Sequence, residues 1–231
     1  YEYDPVASKL TQTLDIRAFL AMPEGHYTPG KVHSQLGAGQ DGWIYFATHN
    51  GGGGRATPEN HYAGDWLMRV HPGDAKAEII AHGPAGLASI PTGLFDAQRQ
   101  LFYGGTEQEL RFLAYDVVKK EQLFLSEPNQ GPSRAIIFSQ STGRVYVRVH
   151  GKEITPARRF DPTTRELTVM PDLALDPRST TRETKTGLIY AADWVGQLWV
   201  FDVKTERATV VGSLNIGPKT YITSLALDPT E

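Results

Sequence analysis

One type of segment recurs along the chain and limits what it can fold into. A β-rich run ends in an aromatic residue and aspartate, or a variant, then turns into a second β-rich run. The copies read "YEYDPVASKLTQTLDI" from Tyr1, "LMRVHPGDAKAEIIAHG" from Leu67, "FLAYDVVKKEQLFLSEP" from Phe112, "ARRFDPTTRELTVMPDL" from Ala157 and "LWVFDVKTERATVVGSL" from Leu198. A second segment alternates with it: "KVHSQLGAGQDGWIYFATH", "SIPTGLFDAQRQLFYGGTE", "PSRAIIFSQSTGRVYVRVH" and "DPRSTTRETKTGLIYAADW", with an incomplete copy, "YITSLALDPTE", last. Both read as hairpins, with Asp, Gly, Pro, Lys or Thr at the turns. The equivalent positions Leu101, Val145 and Ile189 lie 44 residues apart. Two hairpins per unit and a period of about 40–50 residues are the signature of a β-propeller blade. No amphipathic helical period is found.

The expected fold is therefore all-β: a β-propeller of four-stranded antiparallel blades. Four whole blades fall at about 32–84, 89–127, 133–170 and 177–214, with partial blades at 1–17 and 220–231. The partial blades leave strand edges open. The expectation is a ring of six to eight blades, completed by further polypeptide. A net charge of −3 offers no electrostatic attraction for nucleic acid. No run approaches the ~18 apolar residues of a membrane span, so no membrane insertion is expected. With no cysteine, thiolate chemistry is excluded.

The spacing of the repeats locates two insertions. Tyr115 to Phe160 is 45 residues and Phe160 to Phe201 is 41, whereas Tyr3 to Val70 is 67. Part of the excess is the glycine-rich stretch "NGGGGRATPENHYAGDW", residues 50–66; the rest lies at 18–31, before the first strand of the same blade. In an up-and-down blade the loop into the first strand and the loop between strands two and three emerge on one side. Both insertions are thus expected to overhang one face, as a lid or binding loop at the channel mouth.

His26 and His61 lie in these insertions, each followed by tyrosine; His33 and His49 lie at the ends of the adjoining strands. Neutral imidazoles in this arrangement are candidate ligands of a divalent metal, and His33, His49 and His61 are candidate general bases. A two-residue turn would put His33 and His49 on opposite sides of the sheet, and a three-residue turn on the same side. Arg134 and Arg178 occupy the first-strand position equivalent to His33, and second-strand ends add Glu107, His150 and Asp193. With Arg55 and Tyr62 from the glycine-rich insertion, these are the candidate ligand contacts. Arginine suits an anionic group; the same charges equally suit mutual pairing around the rim.

Motifs elsewhere narrow the reading. The opposite-face turns are short and mixed in sign, as in a solvated structural surface, and the Asp of each aromatic-Asp pair is expected to cap its turn. Trp43, Tyr45, Phe46, Phe102, Tyr103, Tyr146, Tyr190 and Trp199 read as packing between blades. No GxSxG elbow, Walker loop or dinucleotide fingerprint is present.

The repeats "GWIYFATHNG", "RFDPTTRELTV" and "GLIYAADWVGQLWVFDVKTERATVVG" resemble the bacterial propeller superfamily of YVTN-repeat, gluconolactonase-like and streptogramin-lyase-like proteins. That resemblance implies the same architecture, a periplasmic or secreted location, and a group that includes metal-dependent lactonases and lyases. Their catalytic residues match no motif here. The Trp-Asp ending of WD repeats appears only in reverse, as Asp193-Trp194. The leading expectation is a propeller that binds a small polar or anionic molecule under the two insertions. The alternatives are a metal-assisted lyase, lactonase or hydrolase acting on a sugar acid, and a protein-interaction platform.

Overall fold

A computed structural model describes residues 1–50, 57–74, 76–132, 134–149, 155–214, 222–228 and 230. Its most regular local feature is an aspartate-capped hairpin turn. Aspartate at the end of a strand accepts the backbone N–H two or three residues on: Asp4 from Val6 and Ala7, Asp96 from Gln98 and Arg99, Asp116 from Val118 and Lys119, Asp161 from Thr163, and Asp202 from Lys204. Four residues after each aspartate stands a non-glycine residue with positive φ: Ser8, Gln100, Lys120, Arg165 and Glu206, at 49–60°. The carboxylate bonds offset the left-handed backbone, which costs ~1–2 kcal/mol without glycine. The capping role expected for these aspartates is thus seen.

The turns connect antiparallel meanders. The strands β1 (Glu2–Asp4) and β2 (Lys9–Thr11) pair only with each other. The first large sheet holds β3 (Lys31–Val32), β4 (Gly37–Ala38), β5 (Ile44–His49), β6 (Trp66–His71) and β7 (Lys76–His82); both β3 and β4 pair with β5. The second holds β8 (Thr92–Asp96), β9 (Leu101–Gly105), β10 (Phe112–Asp116) and β11 (Glu121–Leu125). The third holds β12 (Ile137–Phe138), β13 (Val145–Val147), β14 (Ala157–Asp161) and β15 (Glu166–Met170), and the fourth β16 (Pro177–Thr180), β17 (Leu188–Asp193), β18 (Gln197–Asp202) and β19 (Arg207–Ser213). In the second, third and fourth sheets strands neighbour in space as they do in sequence. Burial falls from inner to outer strands: β9 and β13 are buried throughout, while β15 and β19 are largely exposed. Residues 222–228, expected as an inner strand, hold none; the Ile222 carbonyl accepts from Ser179 Oγ at 3.1 Å.

Two compact units result: Tyr1–Gln108 with Leu113–Leu123, and Glu109–Phe112 with Phe124–Glu231. In the first, Tyr27, Phe46, Trp66 and Met68 form a core flanked by Leu14, Ile16, Leu20 and Met22. The other face of the same sheet packs Tyr45 on Phe95, with ring centroids 3.9 Å apart. Gly37 permits that approach, because a Cβ there would stand 2.4 Å from the Phe95 Cβ. In the second unit Ile137, Tyr146, Leu173, Leu175, Ile189 and Phe201 make the core. Phe160 packs on Phe112 and Phe124, at 5.1 and 5.2 Å. Of the aromatics assigned to packing, Tyr45, Phe46, Phe102, Tyr103 and Tyr146 are buried, but Tyr190 is exposed and Trp43 lies under the Arg69 guanidinium.

A helical turn, α1 (Ile16–Leu20), leads into the first insertion; hydrophobic period does not reveal it because it is one turn long. Asp15 caps it by accepting the Ala18 N–H at 3.0 Å.

Candidate functional site

The two insertions meet through the dipeptide they share. His26 and His61 stack with centroids 4.3 Å apart, and Tyr27 and Tyr62 meet edge-on at 4.6 Å. Local structure presents them for this. The His26 amide closes a turn onto Pro23, while the 3-10 turn Pro58–Asn60 ends at His61, in the left-handed region at φ 56°. The Tyr27 N–H then donates to the Asn60 carbonyl at 2.7 Å.

Beneath them lies the fully buried carboxylate of Asp65. Its Oδ1 accepts from the hydroxyls of Tyr27 and Thr48, at 3.0 and 2.8 Å, and its Oδ2 from those of Ser89 and Tyr62, at 2.8 and 3.3 Å. The hydroxyls of Thr48 and Ser89 in turn accept the N–H groups of Trp66 and Asn50. One side chain thereby fastens the first insertion, the second insertion, the end of β5 and the segment entering β8. Burial, and secondarily Asp65, push both tyrosine hydroxyls far above the ordinary tyrosine range. They are protonated donors at neutral pH.

The polar group beside this network is His49. The sheet register places Lys31 opposite His49 and Val32 opposite Thr48, so His33 projects on the His49 side. The loop at residues 40–42 leaves three residues in the turn, since Gly39 N–H donates to the Trp43 carbonyl at 2.7 Å, and the two-residue slip between β4 and β3 keeps the same facing. The His33 and His49 rings are 5.6 Å apart, and His49 Nε2 lies 3.2 Å from Glu107 Oε2. His49 is buried, whereas His33 and Glu107 are exposed. Burial holds His49 below the ordinary histidine range, Lys31 acts in the same direction, and Glu107 opposes them. A neutral imidazole next to a carboxylate and a lysine both donates and accepts hydrogen bonds.

The remaining candidates fall elsewhere. His26 and His61 form one pair, and His33 and His49 another. Among the described residues no three of His, Asp and Glu come together as a metal-binding set. Arg55, Gly51–Gly54 and His150 lie outside the described residues. Arg134, Arg178 and Asp193 belong to the second unit. Arg134 is exposed, and the Arg178 guanidinium stands 5.1 Å from the Trp194 ring. Asp193 accepts from the amides of Val195 and Gln197 and from Trp199 Nε1, which commits its carboxylate to the β17–β18 turn. Sequence reasoning overlooked Asp65, Tyr27, Thr48 and Ser89. The repeated His-Tyr dipeptide was the available signal, and its tyrosines reach the carboxylate.

Comparison with known proteins supplies the architecture. No protein-family model matches the chain, and no curated protein does. Among solved structures, hydrazine synthase of Kuenenia stuttgartiensis matches with TM-score 0.57 and 13% identity, over 83% of this chain and 53% of that one. The four-stranded meanders are β-propeller blades. This chain spans about half the length of that hydrazine synthase chain. A chain of the nidogen/laminin complex also matches, with TM-score 0.49 and 10% identity, over 84% of each chain. At these identities the likeness extends to the fold alone.

Proposed function

We propose that this propeller binds a small polyhydroxylated molecule in its first unit, against His33, His49, Glu107 and Lys31. The observation that carries this reading is the buried Asp65 carboxylate. It fixes two separate insertions next to His33 and His49, at the ends of β3 and β5, and Glu107, just after β9. Holding Tyr27 and Tyr62 of the two insertions on one carboxylate costs conformational entropy. The return is a rigid wall beside polar groups, which is how binding sites gain affinity. Locally Lys31 stands against Glu107 and the buried Asp65, and the neutral imidazole adds a donor and an acceptor. Hydroxyl groups match that surface better than a multiply charged anion does.

Calorimetric titration against neutral monosaccharides, sugar alcohols and sugar acids tests the reading. One class binds saturably; His49→Ala and Glu107→Gln each weaken it at least ~tenfold, the loss of one or two hydrogen bonds. Absence of binding across the panel, or binding indifferent to both variants, overturns it. A second reading rests on the 3.2 Å His49–Glu107 contact, which suits a general base steadied by a carboxylate. Turnover of the bound compound, lost in His49→Ala, distinguishes the enzyme from the binding protein.

A further inference from the structure

His49 and Glu107 meet although they come from different sheets. His49 ends β5 in the first, and Glu107 follows the end of β9 in the second. No strand pairing joins β5 to β9, so the 3.2 Å contact between the two side chains needs another tie. Glu107 is exposed, and fixing an exposed glutamate costs rotamer entropy. The backbone that carries it must therefore be well placed.

Ser89, in the segment entering β8, supplies the tie. Its Oγ accepts the N–H of Asn50, the residue after His49, at 3.0 Å. Its carbonyl accepts the N–H of Glu107 at 2.9 Å, and its own N–H donates to the Gln108 side-chain oxygen at 2.8 Å. Thr106 Oγ1 donates to the Gln108 carbonyl at 2.7 Å and braces the same three residues. The Ser89 hydroxyl is fixed in turn. Its hydrogen goes to Asp65 Oδ2 at 2.8 Å, and the residue is fully buried. One serine thus holds the backbone within one residue of each partner, and all of these groups lie in the first unit.

We infer that Ser89 is a positioning residue: it sets the His49–Glu107 contact, holding the end of β5 through its side chain and Glu107 through its backbone. That role rests on the binding surface proposed for this unit. It also joins the insertions to that surface, because Tyr62 and Ser89 share Asp65 Oδ2. Removing the hydroxyl frees the Asn50 N–H and lets the end of β5 part from Glu107, so the carboxylate no longer steadies the imidazole. The readout is the His49 ring. The charged and titratable groups around it are Glu107, Lys31, Asp65 and His33. Burial and Lys31 disfavour its protonated form, whereas Glu107 and Asp65 favour it.

The test is an NMR pH titration of the full chain labelled at its histidine rings, with no ligand added. Glu107→Gln lowers the His49 midpoint, because it removes the neighbouring charge. Ser89→Ala is expected to lower it in the same direction, by about half that displacement or more. The double variant lies no lower than Glu107→Gln alone, since both changes remove one contact. An effect that ran through Asp65 would instead add. Gln108→Ala, at a half-buried position, releases the Ser89 N–H and spares the Asp65 network. It lowers the midpoint too, and decides the matter if Ser89→Ala does not fold. The inference is overturned if His49 keeps the parent midpoint in the folded variants, or if the Ser89 and Glu107 effects add. Because no ligand enters, a calorimetric panel without a binder overturns the functional reading alone.

Discussion

Replacing Asp65 by asparagine isolates the network that joins the insertions. Each carboxylate oxygen accepts two hydroxyls, so one pair of bonds survives and the other faces a new NH2 group. The Thr48 and Ser89 hydroxyls cannot simply reverse. Each already accepts a backbone N–H, from Trp66 and Asn50, and its own hydrogen needs the carboxylate. A hydrogen bond to a charged group contributes ~1.5–3 kcal/mol. Two losses, one of them the long 3.3 Å Tyr62 contact or its counterpart on Oδ1, come to about 3 kcal/mol. At a urea slope of ~2 kcal/mol per molar, the midpoint falls by about 1.5 M. Urea titration followed by tryptophan fluorescence reads this directly, because Trp66 is buried between Tyr27 and His82. A midpoint shift below ~0.5 M, or under ~1 kcal/mol, refutes the claim that Asp65 anchors the insertions.

Other expectations follow from the same contacts. Tyr27→Phe, which removes a buried donor at 3.0 Å, destabilises by ~1–2 kcal/mol, more than Tyr62→Phe at 3.3 Å; paired urea titrations rank them. His49 is held below the usual histidine range in the folded state. Its contribution to stability is therefore complete above ~6.5 and is lost as pH falls from there through the folded value; thermal unfolding at stepped pH shows the loss and His49→Gln removes it. Arg165→Gly stabilises by ~0.5–1 kcal/mol, because its φ of 60° suits glycine, as differential calorimetry would register. Glu206→Gln, in the second unit, breaks contacts to Arg144, Arg159 and Tyr146 and lowers stability by ~2 kcal/mol in chemical denaturation.

The blades were legible because their turns are. An aspartate with a left-handed residue four places on leaves a spaced trace in sequence, and alternating apolar positions give the strands between. The extra residues of the first blade were legible by subtraction. Two things were not. The relation of His33 to His49 turned on a single residue of loop length, and sequence alone left two- and three-residue turns open. The first strand is also broken. Ser34 Oγ bonds both the N–H and the carbonyl of Ala47, and Gln35 N–H turns to Gly93, so pairing resumes only at Gly37. Asp65 was invisible for another reason. Nothing in "YAGDW" distinguishes an aspartate that collects four hydroxyls from one that caps a turn, because its partners lie 3, 17, 24 and 38 residues away. Asp193, a site candidate by position, caps its own turn, which its place in the repeat did not reveal.

The measurement closest to the central claim is NMR of the chain labelled at its histidine rings, titrated with the polyhydroxylated compound that calorimetry selects. The account predicts that His33 and His49 shift together and saturate with the compound, that His71 and His82 stay put, and that Glu107→Gln abolishes the response. Saturable binding that leaves the His33 and His49 rings unmoved contradicts it.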